Sequence, residues 1–359
     1  MVGEIKVLYF TDPVAFQLFG GAEVQMLKTK EYLEKMYDNV CVKFFEFFRD
    51  KLDDYDILHI FQIRYECLSL CRLAKKRGLK VVLSSIYWPE TEEWKYSSII
   101  EKILSKMRIF YTNYKNYNYA TFKALYPTKD FLDLADLVVP TSRSEAVLLS
   151  REFKINPSKF FPVPVGVEKV FLDARPDLFV KKYGLKDFVL FVGRIEPVKN
   201  LLTLLKAYND IEIPLVIIGS FNPWEHEYFV KCKKLIKQNR NVHYLGFMSP
   251  YSKGLLSAYA AAKVFVLPSW HEVTSLTALE AGLTGCNIVV TSRSYMQEYF
   301  KDLAFYVNPA SAEDIKKKIL EAYAKPRTDE LKQHILNNYT WEKVAEKTME
   351  AYKLALNKN

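Results

Sequence analysis

The sequence predicts an α/β protein with two doubly wound parallel sheets, and three observations support this fold class. Short β-branched or aromatic runs alternate with helical stretches along the whole chain, as in the strand–helix units of a parallel sheet. Most of these runs are continuously apolar, which is expected for strands covered on both faces. The series restarts after a polar, proline-containing stretch at Gly166–Asp187, and the restart indicates a second domain.

The first series alternates strands and helices up to residue 165. Strands are predicted at Ile5–Phe10, Val40–Phe45, Ile57–Phe61, Val81–Ser85, Leu137–Pro140 and Phe160–Val165, and helices at Ala22–Met36, Glu66–Lys76, Ser98–Lys106 and Ser144–Phe153.

The second series repeats the pattern. Strands are predicted at Val189–Val192, Leu215–Ile218, Val242–Leu245, Val264–Leu267, Ile288–Thr291 and Phe305–Val307, and helices near Leu201–Tyr208, Phe229–Gln238, Leu255–Ala261, Thr277–Leu283 and Ala312–Ala324. We therefore expect an N-terminal domain at 1–166, a C-terminal domain at 167–340 and an amphipathic closing helix within 341–359. A chain of 359 residues also fits two domains of roughly 150 residues each.

The composition excludes several classes of protein. Half the residues are hydrophobic and 26% are charged, which is ordinary for a packed globular chain. No apolar stretch approaches the roughly 18 residues that a membrane span needs, and the N-terminal MVGEIKVLYF contains an acid and does not resemble a signal peptide. Five cysteines without a C-x-x-C pair and five histidines without ligand spacing disfavour disulfide scaffolds and metal sites. We expect a reducing compartment and no metal.

Two glycines, Gly20 and Gly21, lie between the first predicted strand and its helix. Glycine lets a backbone approach a ligand closely, and a helix N-terminus offers N–H groups to an anion. A flexible helix-entry loop explains the pair equally well. The loop does not match G-x-G-x-x-G, and no G-K-[ST] occurs in the chain, so neither dinucleotide nor Walker-type phosphate binding has motif support.

Charged residues also follow two strands of the second series. Arg194 and Lys199 lie in a strand-to-helix loop, where a guanidinium fork and a mobile ammonium suit a diphosphate. Glu272 follows a later strand and Glu280 lies eight positions on, within the next helix. A carboxylate near a helix N-terminus is electrostatically stable and accepts hydrogen bonds from sugar hydroxyls. Taken singly, each is better explained as an ordinary surface charge.

Together these segments resemble the donor half of the retaining glycosyltransferases of family four, which have the GT-B fold. Their order and separations match the family across roughly residues 188–300, and two motifs extend the resemblance more weakly over the first half. The matching segments are Gly193-Arg194 with Lys199, Leu267-Pro268-Ser269, Glu272, Glu280-Ala281, Gly20-Gly21-Ala22-Glu23 and Pro164–Glu168.

The resemblance implies two Rossmann-like domains facing a central cleft. The N-terminal domain would bind the acceptor, the C-terminal domain would bind a nucleotide-sugar donor, and the closing helix would cross back to the N-terminal domain. The family generally needs no metal, and its usual mechanism is front-face transfer, in which the departing phosphate helps to deprotonate the acceptor.

The resemblance also implies roles for single residues. Arg194 and Lys199 would bind the donor diphosphate and stabilise the leaving group, and Glu272 would hold hydroxyls of the transferred sugar. These three form the implied catalytic set, while Glu280 would bind the ribose hydroxyls. Further donor contacts are implied for Gly20, Gly21, Gly246, Phe247, Thr274, Ser275 and Leu276.

The sequence departs from the family pattern in three places. Val273-Thr274-Ser275 replaces Gly-Phe-Gly, which predicts a differently shaped sugar subsite. Val165-Gly166 replaces Asn-Gly, and the stretch Ser84–Glu90 lacks the histidine that family members commonly carry near the donor sugar. Another group therefore makes that contact, or the donor is unusual. The candidate acceptor-side or sugar-side residues are His59, Tyr87 and Trp88, with a structural role as the alternative for His59.

The net charge of +9 is concentrated in one segment and requires an anionic partner. Residues 95–129 hold seven cations and one acid, and so carry +6, with eight tyrosines and phenylalanines interleaved. Such a segment suits an anionic membrane surface. Single-stranded nucleic acid and a helix packed on its own domain are the alternatives. The candidate membrane contacts are Lys102, Lys106, Arg108 and Lys115.

Two other functions stay open. A catalytically silent relative would keep the fold as a sugar-binding, nucleotide-binding or scaffolding module, which the altered sugar loop and the missing histidine favour. The joint presence of Arg194, Lys199, Glu272 and Glu280 argues against it, because a scaffold does not need all four. A nucleic-acid-binding protein lacks any recognised motif, so no nucleic acid partner is expected.

The sequence therefore predicts a retaining glycosyltransferase of the hexosyltransferase type, acting in glycan biosynthesis. It would move a sugar from a nucleotide-diphosphate donor to a hydroxyl of a glycan or lipid-linked acceptor, without metal or cofactor. The predicted location is the cytoplasm, at the inner face of the membrane through residues 95–129.

Overall fold

The computed structural model describes residues 4–88, apart from Pro13 and Phe19, and residues 128–358. Contacts within the chain divide it into two units. Unit 1 comprises Met1–Gly166 and Trp341–Asn359, and unit 2 comprises Val167–Thr340. The chain thus leaves unit 1 once and returns to it for its closing segment.

Unit 1 contains a parallel sheet with helices between its strands. Its strands are β1 (Ile5–Phe10), β2 (Val40–Phe44), β3 (Ile57–Phe61), β4 (Lys80–Ser84) and β5 (Leu137–Val138), and its helices before the boundary include α1 (Gly21–Met36), α2 (Leu68–Lys76), α3 (Thr128–Leu134) and α4 (Arg143–Phe153).

Unit 2 contains a second parallel sheet. Its strands are β6 (Phe188–Val192), β7 (Leu215–Ile218), β8 (Val242–Tyr244), β9 (Ala262–Leu267), β10 (Asn287–Thr291) and β11 (Phe305–Val307), and its helices are α5 (Asp177–Tyr183), α6 (Leu201–Ala207), α7 (His226–Gln238), α8 (Lys253–Ala261), α9 (Leu276–Leu283), α10 (Met296–Phe300), α11 (Ala312–Ala324) and α12 (Glu330–Asn338). The closing helix α13 (Trp341–Asn357) follows in unit 1.

The strand order shows where each sheet binds ligands. In unit 1 the order is β2-β1-β3-β4-β5, and in unit 2 it is β11-β10-β9-β6-β7-β8. The direction of winding reverses between β1 and β3 in the first sheet and between β6 and β9 in the second. Open α/β sheets bind their ligands at the carboxyl ends of the strands beside such a reversal. The prediction of two doubly wound α/β sheets is confirmed.

The apolar runs form the centre of each sheet, because helices cover both faces. All five residues of β3 and all five of β6 are buried. Amphipathic helices then cover the sheet; α2, for example, buries Leu68, Cys71 and Ala74 and exposes Lys76 to solvent. The burial of apolar surface, which contributes about 25 cal/mol per Å², is the main driving force for this packing.

One predicted strand is wrong and one predicted helix lies outside the described residues. Residues 160–165 run beside β5, with hydrogen bonds from Phe161 N–H to Val138 O and from Val163 N–H to Pro140 O, both 2.9 Å. They form only an isolated bridge, because Pro140, on the side of β5, has no N–H with which to return a hydrogen bond and continue the ladder. The predicted helix Ser98–Lys106 lies within the residues that the structure does not describe.

The closing helix packs on α1 and β4 of unit 1. It begins at Trp341, whose ring is buried beside Gly166. A Cβ atom at Gly166 would lie only 2.8 Å from Trp341 Cδ2, so a side chain at this position would push the indole away. Glycine is therefore required where the first segment of unit 1 ends and the closing segment begins.

A second close approach occurs inside unit 2. Gly219 follows β7 directly with a φ of +155°, and a Cβ atom there would lie 1.9 Å from the carbonyl oxygen of Gly193. The Gly219 N–H donates to Gly246 O at 2.9 Å, and Gly193 N–H donates to Ile218 O at 3.1 Å. The loops after β6, β7 and β8 therefore meet at one point, and only glycine fits there.

We predict that Gly219→Ala prevents stable folding of unit 2, at a cost of about 3 kcal/mol or more, because the new methyl group would overlap backbone atoms that cannot move independently. Thermal unfolding followed by circular dichroism measures this cost. The matched control is Gly254→Ala in α8, where the nearest atom to a new Cβ is Met248 Sδ at 3.9 Å and alanine is a better helix former than glycine. A Gly219→Ala protein that melts at the native temperature would contradict the prediction.

Candidate functional site

Two polar loops meet at the reversal point of unit 2. The loop 193–200 follows β6, and the loop 268–275 follows β9. A backbone hydrogen bond from Trp270 N–H to Val198 O, at 2.8 Å, joins them. Since β6 and β9 are neighbours and parallel, their carboxyl ends present both loops at the same edge of the sheet. The predicted cations and Glu272 therefore lie together.

Lys199 and Glu272 form an ion pair in this edge. The Lys199 ammonium lies 2.9 Å from both carboxylate oxygens of Glu272, and the Ser269 hydroxyl donates to Glu272 Oε2 at 2.9 Å. The two charged side chains are only 20% and 12% exposed, so water screens the pair weakly. Glu272 N–H also donates to Arg293 O at 3.0 Å, which fixes the backbone as well as the side chain. The ammonium thus holds the carboxylate in one orientation.

Arg194 has its own acidic partner. Its Nη2 lies 3.3 Å from Glu196 Oε1, and Glu196 Oε2 accepts a hydrogen bond from Asn222 Nδ2 at 3.4 Å. The arginine side chain is 47% exposed, whereas that of Glu196 is 9% exposed. The guanidinium is therefore anchored on one side and open to solvent on the other. Sequence reasoning assigned no role to Glu196, although it lies between the two predicted cations.

Asn200 holds the loops in place. Its Nδ2 donates to the carbonyl oxygens of Pro268, at 3.0 Å, and Pro309, at 2.8 Å, and its Oδ1 accepts from Thr203 Oγ1 at 2.6 Å. The residue is 2% exposed and has a φ of +57°. Asparagine tolerates this left-handed conformation better than most residues. One side chain thus connects loops after β6, β9 and β11, and sequence reasoning assigned it no role.

Glu280 lies on α9 and is bound by a tyrosine. The buried Tyr259 hydroxyl, on α8, donates to Glu280 Oε2 at 2.7 Å. Burial raises the pKa of the Glu280 carboxyl to about 7, although the hydrogen bond from Tyr259 acts in the opposite direction. The carboxyl group is therefore only partly ionised near neutral pH. Tyr259 lies 21 residues away in the chain, and no motif connects the two.

Val273-Thr274-Ser275, which stands in place of the family's Gly-Phe-Gly, leads directly into α9. Ser275 caps the helix, because its Oγ accepts from Ala278 N–H at 3.2 Å. The Ser275 N–H contacts the Met296 sulfur at 3.2 Å, so this amide is already engaged. Thr274 and Leu276 lie on either side and are partly exposed. The backbone at this edge is thus held by a side-chain cap where the family has glycines.

Two further predicted donor contacts lie after β8. Gly246 has a φ of +74° and no atom within 4 Å of a Cβ position, and Phe247 is 64% exposed. Gly246 O accepts the hydrogen bond from Gly219, so this loop is tied to the end of β7. It lies at the carboxyl edge of the same sheet as Arg194 and Lys199. The role of Gly246 and Phe247 in donor binding stays a prediction.

In unit 1 the glycine loop lies at the reversal point between β1 and β3. The helix α1 begins at Gly21, and the Gly20 N–H donates to Glu23 Oε2 at 2.8 Å. Glu23 Oε1 accepts from Gln62 Nε2, in the loop after β3, at 3.5 Å. Glu23 is buried and serves as a cap, so it leaves fewer N–H groups for an anion than the glycines alone suggest.

His59 needs a correction. It is 2% exposed and lies within β3, where Nδ1 pairs with the Tyr352 hydroxyl at 2.8 Å and Nε2 pairs with Ser84 Oγ at 2.9 Å. Tyr352 in turn pairs with the Tyr9 hydroxyl at 2.8 Å, and the His59 ring stacks on Phe61. Burial lowers the pKa of the imidazole to about 3. The predicted acceptor-side role of His59 is wrong, and its structural alternative holds. His59 is a neutral core histidine that joins β3 and β4 to α13.

Tyr87 and Trp88 follow β4 and are both partly buried. The Tyr87 hydroxyl donates to Glu152 Oε2 at 2.8 Å, and its N–H donates to Glu145 Oε1 at 2.8 Å. Glu145 is fully buried and also accepts hydrogen bonds from Ser85 and Thr141. Burial raises the pKa of the Glu145 carboxyl. This carboxylate fixes the loop that carries Tyr87, and the acceptor-side role of Tyr87 and Trp88 stays a prediction.

The predicted membrane contacts at Lys102, Lys106, Arg108 and Lys115 lie outside the described residues. Within the described ranges, no helix combines the length and the apolar character that a bilayer crossing requires. The same ranges contain no group of three or more histidine, cysteine, aspartate or glutamate side chains arranged to hold a metal ion. All five cysteines are free thiols.

Comparison with known proteins finds a glycosyltransferase family in the C-terminal part of the chain. Residues 179–341 match the family model of glycosyl transferases group 1. This match covers most of unit 2, including every residue of the edge described above.

Individual relatives are also glycosyltransferases. The O-antigen chain mannosyltransferase B of Escherichia coli is 26% identical over 247 residues, covering 65% of this chain and 63% of the relative. The N-acetylgalactosamine-N,N'-diacetylbacillosaminyl-diphospho-undecaprenol 4-alpha-N-acetylgalactosaminyltransferase of Campylobacter jejuni is 30% identical over 178 residues, covering 48% of this chain and 46% of the relative. The chain thus matches less than two thirds of the length of either relative. Together with the family match, these relatives support a glycosyltransferase enzyme.

Solved structures support the predicted GT-B fold over the whole chain. A sucrose-phosphate synthase from Thermosynechococcus elongatus has a TM-score of 0.75 at 18% identity and covers 98% of both chains. HepE of Anabaena, solved in complex with UDP, has a TM-score of 0.70 at 14% identity and covers 98% of this chain and 100% of that chain. At these identities the likeness concerns the fold alone.

The buried histidine makes unit 1 sensitive to acid. Because folding lowers the pKa of His59 from 6.5 to about 3, the unfolded chain binds a proton that the folded chain does not bind between these pH values. We therefore predict that unit 1 loses stability as the pH falls from about 6.5 towards 3, by up to about 1.4 kcal/mol per pH unit. Thermal unfolding of the native protein at pH 7, 5 and 4 measures this loss.

The His59→Gln variant is expected to be less stable at pH 7 but to lose less stability on acidification. Tyr352→Phe is the matched control, because it breaks the same network while it keeps the imidazole and hence the acid sensitivity. Equal pH dependence in the native protein and in His59→Gln would contradict the prediction.

Proposed function

We propose that this protein is a retaining glycosyltransferase that transfers a hexose from a nucleotide-diphosphate-sugar to a hydroxyl group, without a metal ion. The observation that carries the proposal is the pair of cations at the reversal point of unit 2. Lys199 is held against Glu272, and Arg194 stands in the same loop with half its side chain exposed. A diphosphate needs cations at this edge, and the match to glycosyl transferases group 1 covers it.

The proposed chemistry is the one that the family resemblance implies. In front-face transfer the bond between the anomeric carbon and the phosphate oxygen breaks while the acceptor oxygen bonds to the same face of that carbon. The acceptor proton passes to the departing phosphate oxygen, so no protein base is needed. Arg194 and Lys199 stabilise the charge that grows on the leaving diphosphate. Retention predicts that the product keeps the anomeric configuration of the donor, which proton NMR of the anomeric centre measures.

The carboxylates have the complementary task of binding hydroxyl groups. Glu272 is held by Lys199 and Ser269, and it would accept hydrogen bonds from the transferred sugar. Glu280 is held by Tyr259 and would accept hydrogen bonds from the ribose. Since a protonated carboxyl accepts fewer hydrogen bonds than a carboxylate, nucleotide binding should weaken as the pH falls below about 7, the pKa of Glu280.

The relatives indicate which substrates to test first. One relative is a mannosyltransferase of the O-antigen chain, and another is named for a diphospho-undecaprenol substrate. Mannose is therefore the first sugar to test, and a polyprenyl-diphosphate-linked glycan is the first acceptor. A lipid-linked acceptor also agrees with the +6 charge of residues 95–129, because both the diphosphate and the surrounding membrane are anionic.

The donor assignment predicts that one nucleoside diphosphate stabilises the protein. Thermal shifts would be measured with UDP, GDP, ADP and dTDP and with their common sugar conjugates, in the presence of EDTA. A ligand at a hundred times its Kd contributes about 2.7 kcal/mol, which is a shift of several degrees. We expect Glu280→Ala to abolish the shift and Glu212→Ala, at an exposed carboxylate of the same unit, to preserve it.

The possible results separate the proposal from its alternative. A shift that requires added metal would contradict the metal-independent mechanism. No shift with any of the nucleotides, in a protein shown to be folded, would contradict the donor site and favour the catalytically silent relative.

The membrane assignment predicts that residues 95–129 bind anionic lipid. Neutralising Lys102, Lys106 and Arg108 to glutamine together should weaken binding to vesicles that contain phosphatidylglycerol on the order of a hundredfold, because each cation near such a surface contributes about 1 kcal/mol. Co-sedimentation with vesicles measures this. The control neutralises three exposed lysines of α7, Lys233, Lys234 and Lys237, and should leave binding intact. Equal binding by both triple variants would remove the membrane assignment.

A further inference from the structure

Glu196 is a buried carboxylate in the loop that carries both predicted diphosphate ligands. Its side chain is 9% exposed, its Oε1 lies 3.3 Å from Arg194 Nη2, and its Oε2 accepts from Asn222 Nδ2 at 3.4 Å. A buried carboxylate is costly unless it is paired, and here its nearest cation is Arg194. None of the steps proposed above uses this residue.

The backbone around Glu196 is fixed by the segment that follows β7. Ile195 N–H donates to Ser220 O at 2.8 Å, and Ile195 O accepts from Asn222 N–H at 3.3 Å. On the other side, Lys199 N–H donates to Glu196 O at 3.1 Å. These bonds fix the backbone at Glu196, while burial and the hydrogen bond from Asn222 Nδ2 hold its carboxylate beside the guanidinium of Arg194.

Each of the two predicted cations has a carboxylate beside it. Arg194 pairs with Glu196 and Lys199 pairs with Glu272, although a diphosphate is stabilised by net positive surroundings. Glu272 faces Lys199 and has the sugar hydroxyls as its proposed partners, whereas Glu196 faces only Arg194 and Asn222 among the contacts described above. A carboxylate in this place weakens the attraction between Arg194 and any anion that approaches its exposed side.

We propose that Glu196 is a positioning residue that holds Arg194 at the phosphate end of the donor site and offsets part of its charge. A nucleoside diphosphate is then bound firmly enough to be stabilised as a leaving group and weakly enough to depart after transfer. This inference rests on the proposed function, because it concerns the same site. It adds that Glu196 controls how readily the nucleoside diphosphate leaves after transfer.

The test is the isosteric change Glu196→Gln, which removes the charge and keeps an oxygen for Arg194. Affinities would be measured by isothermal titration calorimetry for UDP, GDP, ADP and dTDP and for the corresponding nucleosides. We expect the nucleoside diphosphate that binds the native protein to bind Glu196→Gln about three- to tenfold more tightly, as for one unit charge several ångströms away in partly solvated surroundings. Affinity for the nucleoside, which has no phosphate, should not change.

Three further variants make the result specific. Glu196→Ala loses the hold on Arg194 and should bind the diphosphate less tightly than Glu196→Gln. Arg194→Ala should weaken diphosphate binding, and Glu212→Gln, which removes an exposed charge elsewhere in unit 2, should have no effect. If Glu196 had only a structural role, its substitution would lower the melting temperature and would change the affinities for the diphosphate and for the nucleoside alike.

The outcomes distinguish this inference from the proposed function. If the native protein binds none of the nucleotides, the proposed function fails and this inference fails with it. If the native protein binds one of them and Arg194→Ala weakens that binding, but Glu196→Gln leaves it unchanged or weaker, then only the role of Glu196 is overturned. If Glu196→Gln binds the diphosphate more tightly and the nucleoside unchanged, the role of Glu196 is supported.

Discussion

The arrangement of the site in unit 2 depends on the side-chain amide of Asn200. Loops at the end of a buried sheet carry backbone carbonyls that water does not reach, and each such group costs free energy unless it is paired. Asn200 donates to two of them, at Pro268 and Pro309, and its own oxygen accepts from Thr203. Lys199 precedes it directly. The position of the ammonium, and through it that of Glu272, therefore follows from a hydrogen-bond requirement that has no catalytic purpose of its own.

Unit 1 meets the same requirement with different groups. The pairs Tyr9–Tyr352, Tyr352–His59 and His59–Ser84 form a chain of buried hydrogen bonds across β1, β3 and β4. Tyr352 belongs to the closing helix, so this chain specifies how the end of the sequence docks on the sheet. A buried network of this kind adds specificity when all its members are satisfied, and the low pKa of His59 is the consequence of placing an imidazole in it.

Charge balance is the common feature of the proposed donor site. Each predicted cation has a carboxylate partner: Lys199 has Glu272 and Arg194 has Glu196. Without such partners, two half-buried cations would repel each other and lose solvation. With them, each cation is compensated within the fold, and a diphosphate bound as proposed would compete with the two carboxylates for the same cations.

The sequence by itself determined the fold class, most strand positions and the segments that form the candidate site. Short, continuous apolar runs rich in β-branched and aromatic residues predict buried parallel strands. The motif residues Arg194, Lys199 and Glu272 were found because they lie close together in the chain or at family spacing. The strand predicted at 160–165 was wrong because apolar character does not reveal that Pro140, in the neighbouring segment, lacks the N–H that would continue the ladder.

Only the tertiary structure decided which side chains meet. His59 was a candidate for substrate contact from its place at a strand end, with a structural role as the alternative. It is buried because Tyr352 of the closing helix, 293 residues further on, packs against it. Tyr259 holds Glu280 across 21 residues, and Asn200 contacts Pro309 across 109. Hydrogen bonds of this kind depend on distance and direction in space, and a single sequence records neither. The sequence therefore determined which chemistry is available, and folding decided which of its groups are held, paired or buried.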